Sequence, residues 1–597
     1  MKTLRCLIVF LFLVFVPLSC FCKSITISPS TSIAKQMSRS GVTYKIKNDI
    51  DLQGSTINVP EECTLYFKGG TIRNGTIVGH DTKIKAKDYT IFPPGITKYH
   101  GYVKNGSFSY SSRTTTGITI SGTWSNSECK PKWTGLANQD SSICSSNALN
   151  NYIKIHKAGT AVSVPKGKYS VYGSITINNW SVDFNGSSLI SIDFSQVEDK
   201  TIPIPKGATS CGLKSIYGLL RFQSSESYLK NVTIDGRSQS RNEEATLGSE
   251  CLISMESNKS AQIQNVHIMN AVDCGICTYE ISDVIFDKVT FECCGEHGIY
   301  THAYNGVLTF NECNFVNCGQ SPEVYKQRGQ SACFRAAGSR DRSFEELKDL
   351  KIFFNDCSFN STGKYPVATM YSDIPYAVFN RCRWENVNGY SVSSPSLSEG
   401  IGRLVEYIFV DCDNPCSKIV SHNTIRRLIR CRNVKNPFPD TVEITNCEIS
   451  ASYADVTNLY EGSFEKEVAN PIVIKNTTFT SEDGTAIRNT IKNCRPMYFE
   501  NCQWTLRSSD LKDKGSFYIV LQDDSGQIAS TSISFQSCTF DTNNYRLLYS
   551  ADSDIEIYNC VVKSHYNGLI CGNKNKPNKI TIIKTQKHSS GAIMSDL

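Results

Sequence analysis

Three short phrases carry the side chains best suited to chemistry: Gly275-Ile-Cys-Thr-Tyr279, Gly298-Ile-Tyr-Thr-His302 and Ser331-Ala-Cys-Phe-Arg335. If Ile276, Ile299 and Ala332 point into a core, strand alternation turns the third and fifth positions of each phrase outward. Cys277, Tyr300 and Cys333 then form one outer column, and Tyr279, His302 and Arg335 form another. An aromatic ring, an imidazole and a guanidinium on adjacent strands fit sugar stacking, proton transfer and carboxylate binding. The turn Cys294-Gly-Glu-His-Gly298 adds Glu296 and His297, and Asp273 holds the corresponding turn one phrase earlier. Two reactions can be written with these groups. In β-elimination at a uronate, Arg335 neutralises the carboxylate while His302 or Tyr300 removes the C5 proton. In glycoside hydrolysis, Glu296 and Asp273 form the acid/base pair, and their separation decides the stereochemistry.

Two insertions flank these phrases. Gln320 to Glu346 brings Lys326, Arg328, Arg340, Asp341 and Arg342, and Arg237 to Glu250 brings Arg237, Arg241, Glu243 and Glu244. Long insertions between regular elements are where binding loops reside. Tyr279, His297, Arg328, Arg340 and Arg342 are accordingly the candidate substrate contacts. Each has a plainer reading. A residue before Gly-Ile is more often an exposed turn residue than a catalyst, which bears on His297. Arg340 and Arg342 beside Asp341 and Glu345 fit a solvated, self-paired loop, and Asp523-Asp524 in a Gly/Ser turn reads as loop acid.

What positions these groups is a repeat. Alternating apolar residues, a polar pair, Cys or Val, then a polar and an aromatic or aliphatic residue recur as Leu-Lys-Asn-Val-Thr-Ile234, Ile-Gln-Asn-Val-His-Ile268, Phe-Asp-Lys-Val-Thr-Phe291, Phe-Asn-Glu-Cys-Asn-Phe315 and Phe-Asn-Asp-Cys-Ser-Phe359. The spacing is about 23 residues, the alternation is of strand type, and no helical stretch separates the copies, which predicts a solenoid. The marker column reads Val232, Val266, Val289, Cys313, Cys357, Cys382, Cys412, Cys447, Thr477, Cys502, Cys538 and Cys560. Cysteine exchanging with valine behaves as a small buried hydrophobe, so these thiols are expected stacked and reduced. A second column, Asn270, Cys293, Asn317, Ser361 and Asn386, is expected to hold the following turn.

These residues resemble the repeat of the pectate-lyase-like superfamily. Gly159-Thr-Ala-Val-Ser-Val-Pro-Lys-Gly-Lys-Tyr169 is similar to its opening strand, and Asn231-Val-Thr-Ile-Asp-Gly236 to a further phrase of that group. Ser145 to His156 fits its capping helix. The resemblance spans about residues 130–575 and implies a right-handed parallel β-helix, an all-β solenoid that binds glycans along the outer face of one sheet. It does not carry the chemistry, because this fold hosts lyases, hydrolases, epimerases and binding proteins. The Asn-Thr-Asp, Gly-His-Gly and Arg-Ile-Lys phrases of polygalacturonase-like hydrolases are missing, as are the Trp-x-Asp-His and Arg-x-Pro-x-x-Arg phrases of calcium pectate lyases.

The domain order expected is a signal peptide at 1–22, a β-rich module at 23–127, the β-helix at 128–575 and a polar tail at 576–597. Lys2 and Arg5 precede an apolar stretch from Cys6 to Leu18 and small residues at Ser19, Cys20 and Cys22, the pattern of a cleaved export leader. Pro17 before Cys20 disfavours lipidation, so the product is expected secreted, periplasmic or surface-held. The net charge of +6 is spread over 597 residues, and no Lys/Arg run or basic stripe stands out. Nucleic acid gains little support, whereas an anionic polysaccharide suits the charge. No zinc spacing, phosphate loop or dense carboxylate group indicates a cofactor, and calcium stays open without support from the residues. A polysaccharide-active enzyme and a non-catalytic glycan-binding or adhesive β-helix both remain. Ionisable groups converging at one point of the groove would favour the enzyme, and repeated aromatic or polar positions along it the adhesin.

Overall fold

The computed structural model describes residues 24–597 apart from 105–106, 116, 137–144, 172–174, 192–218, 224–225, 238–250, 257–259, 272, 280–281, 303–305, 321–331, 337–349, 363–367, 373–375, 386–391, 394–404, 416–418, 421–423, 435–440, 452–470, 482–488, 493–495, 507–516, 523–526, 529, 543–545, 565–568, 588–593 and 597. The segment expected to be a leader, Arg241, Glu243, Glu244, Lys326, Arg328, Arg340, Asp341, Arg342, Asn386 and Asp523-Asp524 therefore lie outside the described residues. Of Tyr279 and His302 the backbone alone is described.

Packing divides the chain into two compact units. The first holds residues up to His100, Tyr110–Ile175 and Asn179–Ser187, so it reaches past the boundary expected at 127. Its principal sheet is parallel, in the order Ser24–Ile27, Thr43–Ile46, Thr64–Phe67, Gly75–Lys85, Ile118–Trp124. Tyr44, Ile46, Leu65, Phe67 and Ile84 point inward and are buried, as period-two alternation requires. The helix Ser146–Lys154 buries Ala148, Leu149, Tyr152 and Ile153 on one face. Its Asn151 is buried too. The amide donates to Ile118 O at 2.8 Å, and its oxygen accepts the Ile120 N–H at 3.1 Å. A helix caps the sheet edge there by giving the unpaired strand a hydrogen-bond partner.

The second unit is a right-handed parallel β-helix. One long sheet passes through Glu226–Asp235, Ser260–Met269, Asp283–Glu292, Gly306–Asn311, Leu350–Asn355 and Tyr376–Asn380, and onward to Lys579–Ile583. Register is strict: Val232, Val266 and Val289 align, and Phe310 aligns with Phe354. Like side chains therefore stack. Phe286, Phe310, Phe354, Phe379 and Phe409 form one column with successive ring centroids 4.6, 4.7, 4.9 and 4.8 Å apart. Phe291, Phe315, Phe359 and Trp384 form another at 4.8, 5.1 and 5.3 Å. The segment read as a polar tail instead continues the sheet, because Ile580 and Ile582 keep the alternation and pair in register with Ile555 and Ile557.

Each marker thiol does more than fill space. Cys382 and Cys412, and Cys431, which the column read from sequence left out, donate to Phe354 O, Phe379 O and Phe409 O of the preceding rung, at 3.3, 3.3 and 3.4 Å. The thiol thus gives that carbonyl a hydrogen-bond donor, which Val cannot do. All cysteines among the described residues are free thiols. Just before the marker, a column of left-handed residues bends the chain: Asn231, Asn265, Lys288, Glu312, Asp356, Arg381, Asp411, Arg430 and Asn446 have φ between 50° and 58°. In the turn column predicted from sequence, Asn270, Cys293 and Asn317 are left-handed, with φ of 55°, 52° and 49°.

Candidate functional site

The site lies on the second sheet of the β-helix, through the parallel strands β1 (Cys251–Glu256), β2 (Cys274–Tyr279), β3 (His297–His302), β4 (Ala332–Ala336) and β5 (Ala368–Ser372). Ile253, Ile276, Ile299, Phe334 and Met370 align and fill the interior. The outer column is then Ser254, Cys277, Tyr300 and Arg335.

This register corrects the expected alignment of the third phrase by two residues. Arg335 stands beside Tyr300 rather than beside His302, and Phe334 takes the inner position assigned to Ala332. The reason is packing. Phe334 meets Phe310 and Phe354 edge-to-face at 5.7 Å each, and alanine at that level would leave the interior unfilled. The pairing of Tyr279 with His302 does follow the expected register.

Two glycines let the strands approach at the turn. A Cβ on Gly275 would sit 2.7 Å from Gly298 O, and one on Gly298 would sit 2.7 Å from Cys333 O. Immediately before them the chain brings Asp273, Cys274, Glu296 and His297 together. Glu296 N–H donates to Asp273 O at 2.8 Å, locking one turn onto the next. The two carboxylates and the Cys274 thiol have ligand atoms within 4.8 Å of one another, and all three residues are buried. The thiol donates to Asp273 Oδ1 at 3.6 Å.

Glu296, only 2% exposed, has two basic neighbours: His297 Nε2 at 3.6 Å and Arg335 Nη1 at 3.8 Å from its Oε1. His297 is fully buried, not the exposed turn residue of its plainer reading. Its Nδ1 lies 3.2 Å from the Ala332 N–H, and its ring stacks on Tyr300 with centroids 5.6 Å apart. The Arg335 guanidinium lies over the other partner of that contact, 5.2 Å from the Tyr300 ring. One connected cluster thus runs Asp273, Glu296, Arg335, Tyr300, with His297 wedged behind it. Only its Tyr300 and Arg335 end is half-open to solvent.

Nearby thiols are kept neutral. The hydrogen bond with Cys318, and then burial, push Cys294 well up, and burial does the same to Cys333. Asp273, Cys274 and Glu296 are the groups here that could hold a metal ion. Their mixed oxygen and sulfur donors suit a borderline metal rather than calcium, and the adjacent guanidinium already offsets one negative charge. Sequence reasoning named Asp273 with Glu296 as one pair and Arg335 with Tyr300 as another, with His297 as a substrate contact. It missed Cys274, whose signal is the in-register pair with Cys251 one repeat earlier.

No family model and no curated protein matches the chain. Among solved structures, ORF18 of Geobacillus virus E2 is 13% identical over 53% of this chain, with a TM-score of 0.35, and the match spans 56% of that protein's length. The catalytic domain of a GH87 α-1,3-glucanase, solved with tetrasaccharides, is 10% identical over 82% of this chain and 72% of its own, with a TM-score of 0.30. The Dettilon tailspike protein is 10% identical over 75% of this chain and 66% of its own, with a TM-score of 0.22. No helix among the described residues is long and apolar enough to cross a membrane.

Proposed function

We propose that this chain is an exported glycoside hydrolase of the pectate-lyase-like group, with Glu296 and Asp273 as its paired carboxylates. One observation carries the reading: two buried carboxylates with oxygens within 4.8 Å, converging with Arg335 and Tyr300 at a single point. Two carboxylates this close in a buried place resist double ionisation, so one keeps its proton as acid while the other acts as base or nucleophile. A gap near 5 Å is that of retaining glycosidases, and the wider gap of about 6.5–9.5 Å that admits a water is that of inverting ones. Tyr300 offers a ring face to a sugar, and Arg335 offers a guanidinium to a sugar carboxylate.

A second reading rests on the side-by-side placement of Tyr300 and Arg335. In β-elimination Arg335 neutralises the uronate and Tyr300 takes the C5 proton, with no demand on Asp273. The deciding experiment incubates the mature protein with acidic and neutral polysaccharides and follows both new reducing ends and ultraviolet absorbance. Reducing ends without absorbance, with retained anomeric configuration, are expected. Absorbance from unsaturated uronates would replace hydrolysis by elimination. Silence on both readouts, with retention on one immobilised glycan, would leave a binding protein.

A further inference from the structure

The N-terminal unit carries a charged surface that the linear sequence hides. Its strands Thr43–Ile46, Thr64–Phe67 and Gly75–Lys85 pair in register, so that Lys45, Tyr66 and Lys85 align as one outward column. Lys83 aligns beside it, next to Thr64. Beyond the strand ends the pairing continues, with Lys68 N–H donating to Ile46 O at 2.8 Å, and this sets Lys47 and Lys68 at the same edge. Because inward Tyr44, Ile46, Leu65, Phe67 and Ile84 alternate with these positions, the lysines all leave one face.

Two further observations mark the face as built for an anion. Tyr66 is bracketed by two ammonium groups, Lys68 Nζ at 4.9 Å and Lys85 Nζ at 5.0 Å from its ring centroid. None of Lys45, Lys47, Lys68, Lys83 and Lys85 has an ion-pair partner among the described residues; Lys45 donates to Ser24 Oγ at 2.7 Å. The outward positions of Thr43–Lys47, Thr64–Lys68 and Lys83–Lys85 contain no Asp or Glu. Some exposed cations elsewhere are paired, as Arg381 is with Asp356 and Lys475 with Glu500. Like charges on neighbouring strands repel, so this face is electrostatically unfavourable until an anion neutralises it.

We propose that this lysine face is a second binding site, separate from the groove of the β-helix, and that it takes an anionic polysaccharide bearing carboxylate or sulfate groups. Strands are about 4.8 Å apart, close to the advance per residue of an extended glycan chain, so one acidic sugar can meet each rung. The chemistry disfavours the other polyanions. Tyr66 has its ring taken by ammonium groups and offers no stacking platform to bases. A membrane surface would also require apolar side chains beside the charges, and the outward neighbours are threonines.

The test uses the full mature chain and a variant carrying Lys45→Gln, Lys68→Gln and Lys85→Gln, with Lys351→Gln, Lys563→Gln and Lys579→Gln as the charge-matched control. Binding to polygalacturonate, heparin, neutral dextran, duplex DNA and anionic phospholipid vesicles is measured by calorimetry at low and moderate salt. Expected are binding to polygalacturonate or heparin but not dextran, about tenfold weaker when salt rises several-fold, and a further loss of about tenfold in the first variant alone. An unchanged melting temperature excludes misfolding of that variant. Equal binding by both variants would overturn the site, as would no anionic glycan binding at low salt. Tighter binding to DNA or vesicles than to either glycan would overturn the ligand. Hydrolysis of short oligosaccharides belongs to the groove, so its presence or absence is read independently of these outcomes.

Discussion

Glu296 sits where three physical demands meet. It is buried, it faces the guanidinium of Arg335 at 3.8 Å, and it shares a 4.8 Å neighbourhood with Asp273 and Cys274. A structural carboxylate would need the first two features and not the third, because a second buried carboxylate adds repulsion that a purely structural pair would avoid. Glu296→Gln keeps the shape and removes the proton exchange. For a hydrolase it should lower kcat by about a hundredfold or more while KM stays within a few-fold. Asp273→Asn should act alike and not additively with it, since the two work as one unit. If turnover survives both substitutions and falls with Tyr300→Phe instead, elimination is the chemistry. These residues were visible in the sequence as types. The pairing of Glu296 with Asp273 was visible too, one repeat apart, but the approach of Arg335 to Glu296 was not, because it depends on the two-residue shift of the third phrase.

At the scale of the strand, the repeat was legible wherever large apolar residues alternate with polar ones and a Cys or Val marks the corner. Phe-Asn-Glu-Cys-Asn-Phe315 and Phe-Asn-Asp-Cys-Ser-Phe359 stack in register as read, and their rings lie 5.1 Å apart. Legibility failed for Ser331-Ala-Cys-Phe-Arg335, where Ala332 and Phe334 both satisfy an apolar-alternation pattern and only interior volume chooses between them. The same volume limits the glycines. Gly298→Ala would force a methyl to 2.7 Å from Cys333 O and 3.0 Å from Phe315 Cδ1. Overpacking of that kind costs about 1–3 kcal/mol and should shift β3 away from β4, so urea denaturation and activity are expected to worsen together. The left-handed corner column was hidden for another reason: its residues share a backbone conformation rather than a chemical type. There Asp356 and Asp411 accept two hydrogen bonds each from Arg381 and Arg430, which hold both carboxyls below their ordinary range. A lowered folded-state value stabilises the fold above the ordinary carboxylate range, near pH 3.9, and that contribution is lost as pH falls through the lowered value. Arg381→Ala should therefore be slightly less stable than the parent at neutral pH and indistinguishable from it once both carboxylates are protonated. A difference that grows on acidification would contradict the ion-pair account.

Across the whole β-helix, each rung touches chiefly its neighbours, so stability is close to a sum of local terms and need not be lost in one step. The thiol column offers a way to observe this, since free cysteines occur from Cys313 to Cys560 at nearly every corner. Burial pushes the pKa of the Cys357 and Cys382 thiols up, and a protonated buried thiol does not react with an alkylating reagent. Labelling must pass through local opening, in which every thiol has ordinary acidity, so the order of labelling reports the order of opening. The C-terminal rung gives a starting point. Ile582 lies in the interior column behind Ile557, yet it is 46% exposed because no described strand follows Lys579–Ile583 in that sheet. The middle rungs, by contrast, are held on both sides by the stacked Phe310, Phe354 and Phe379 rings. At intermediate denaturant, mass spectrometry after a short alkylation pulse should find Cys560 and Cys538 labelled before Cys357 and Cys382, with Cys293, already exposed, modified in the native state. Simultaneous labelling of all four corner thiols would mean that the stacked columns bind the rungs into one cooperative unit, and the additive picture of this solenoid would have to be given up.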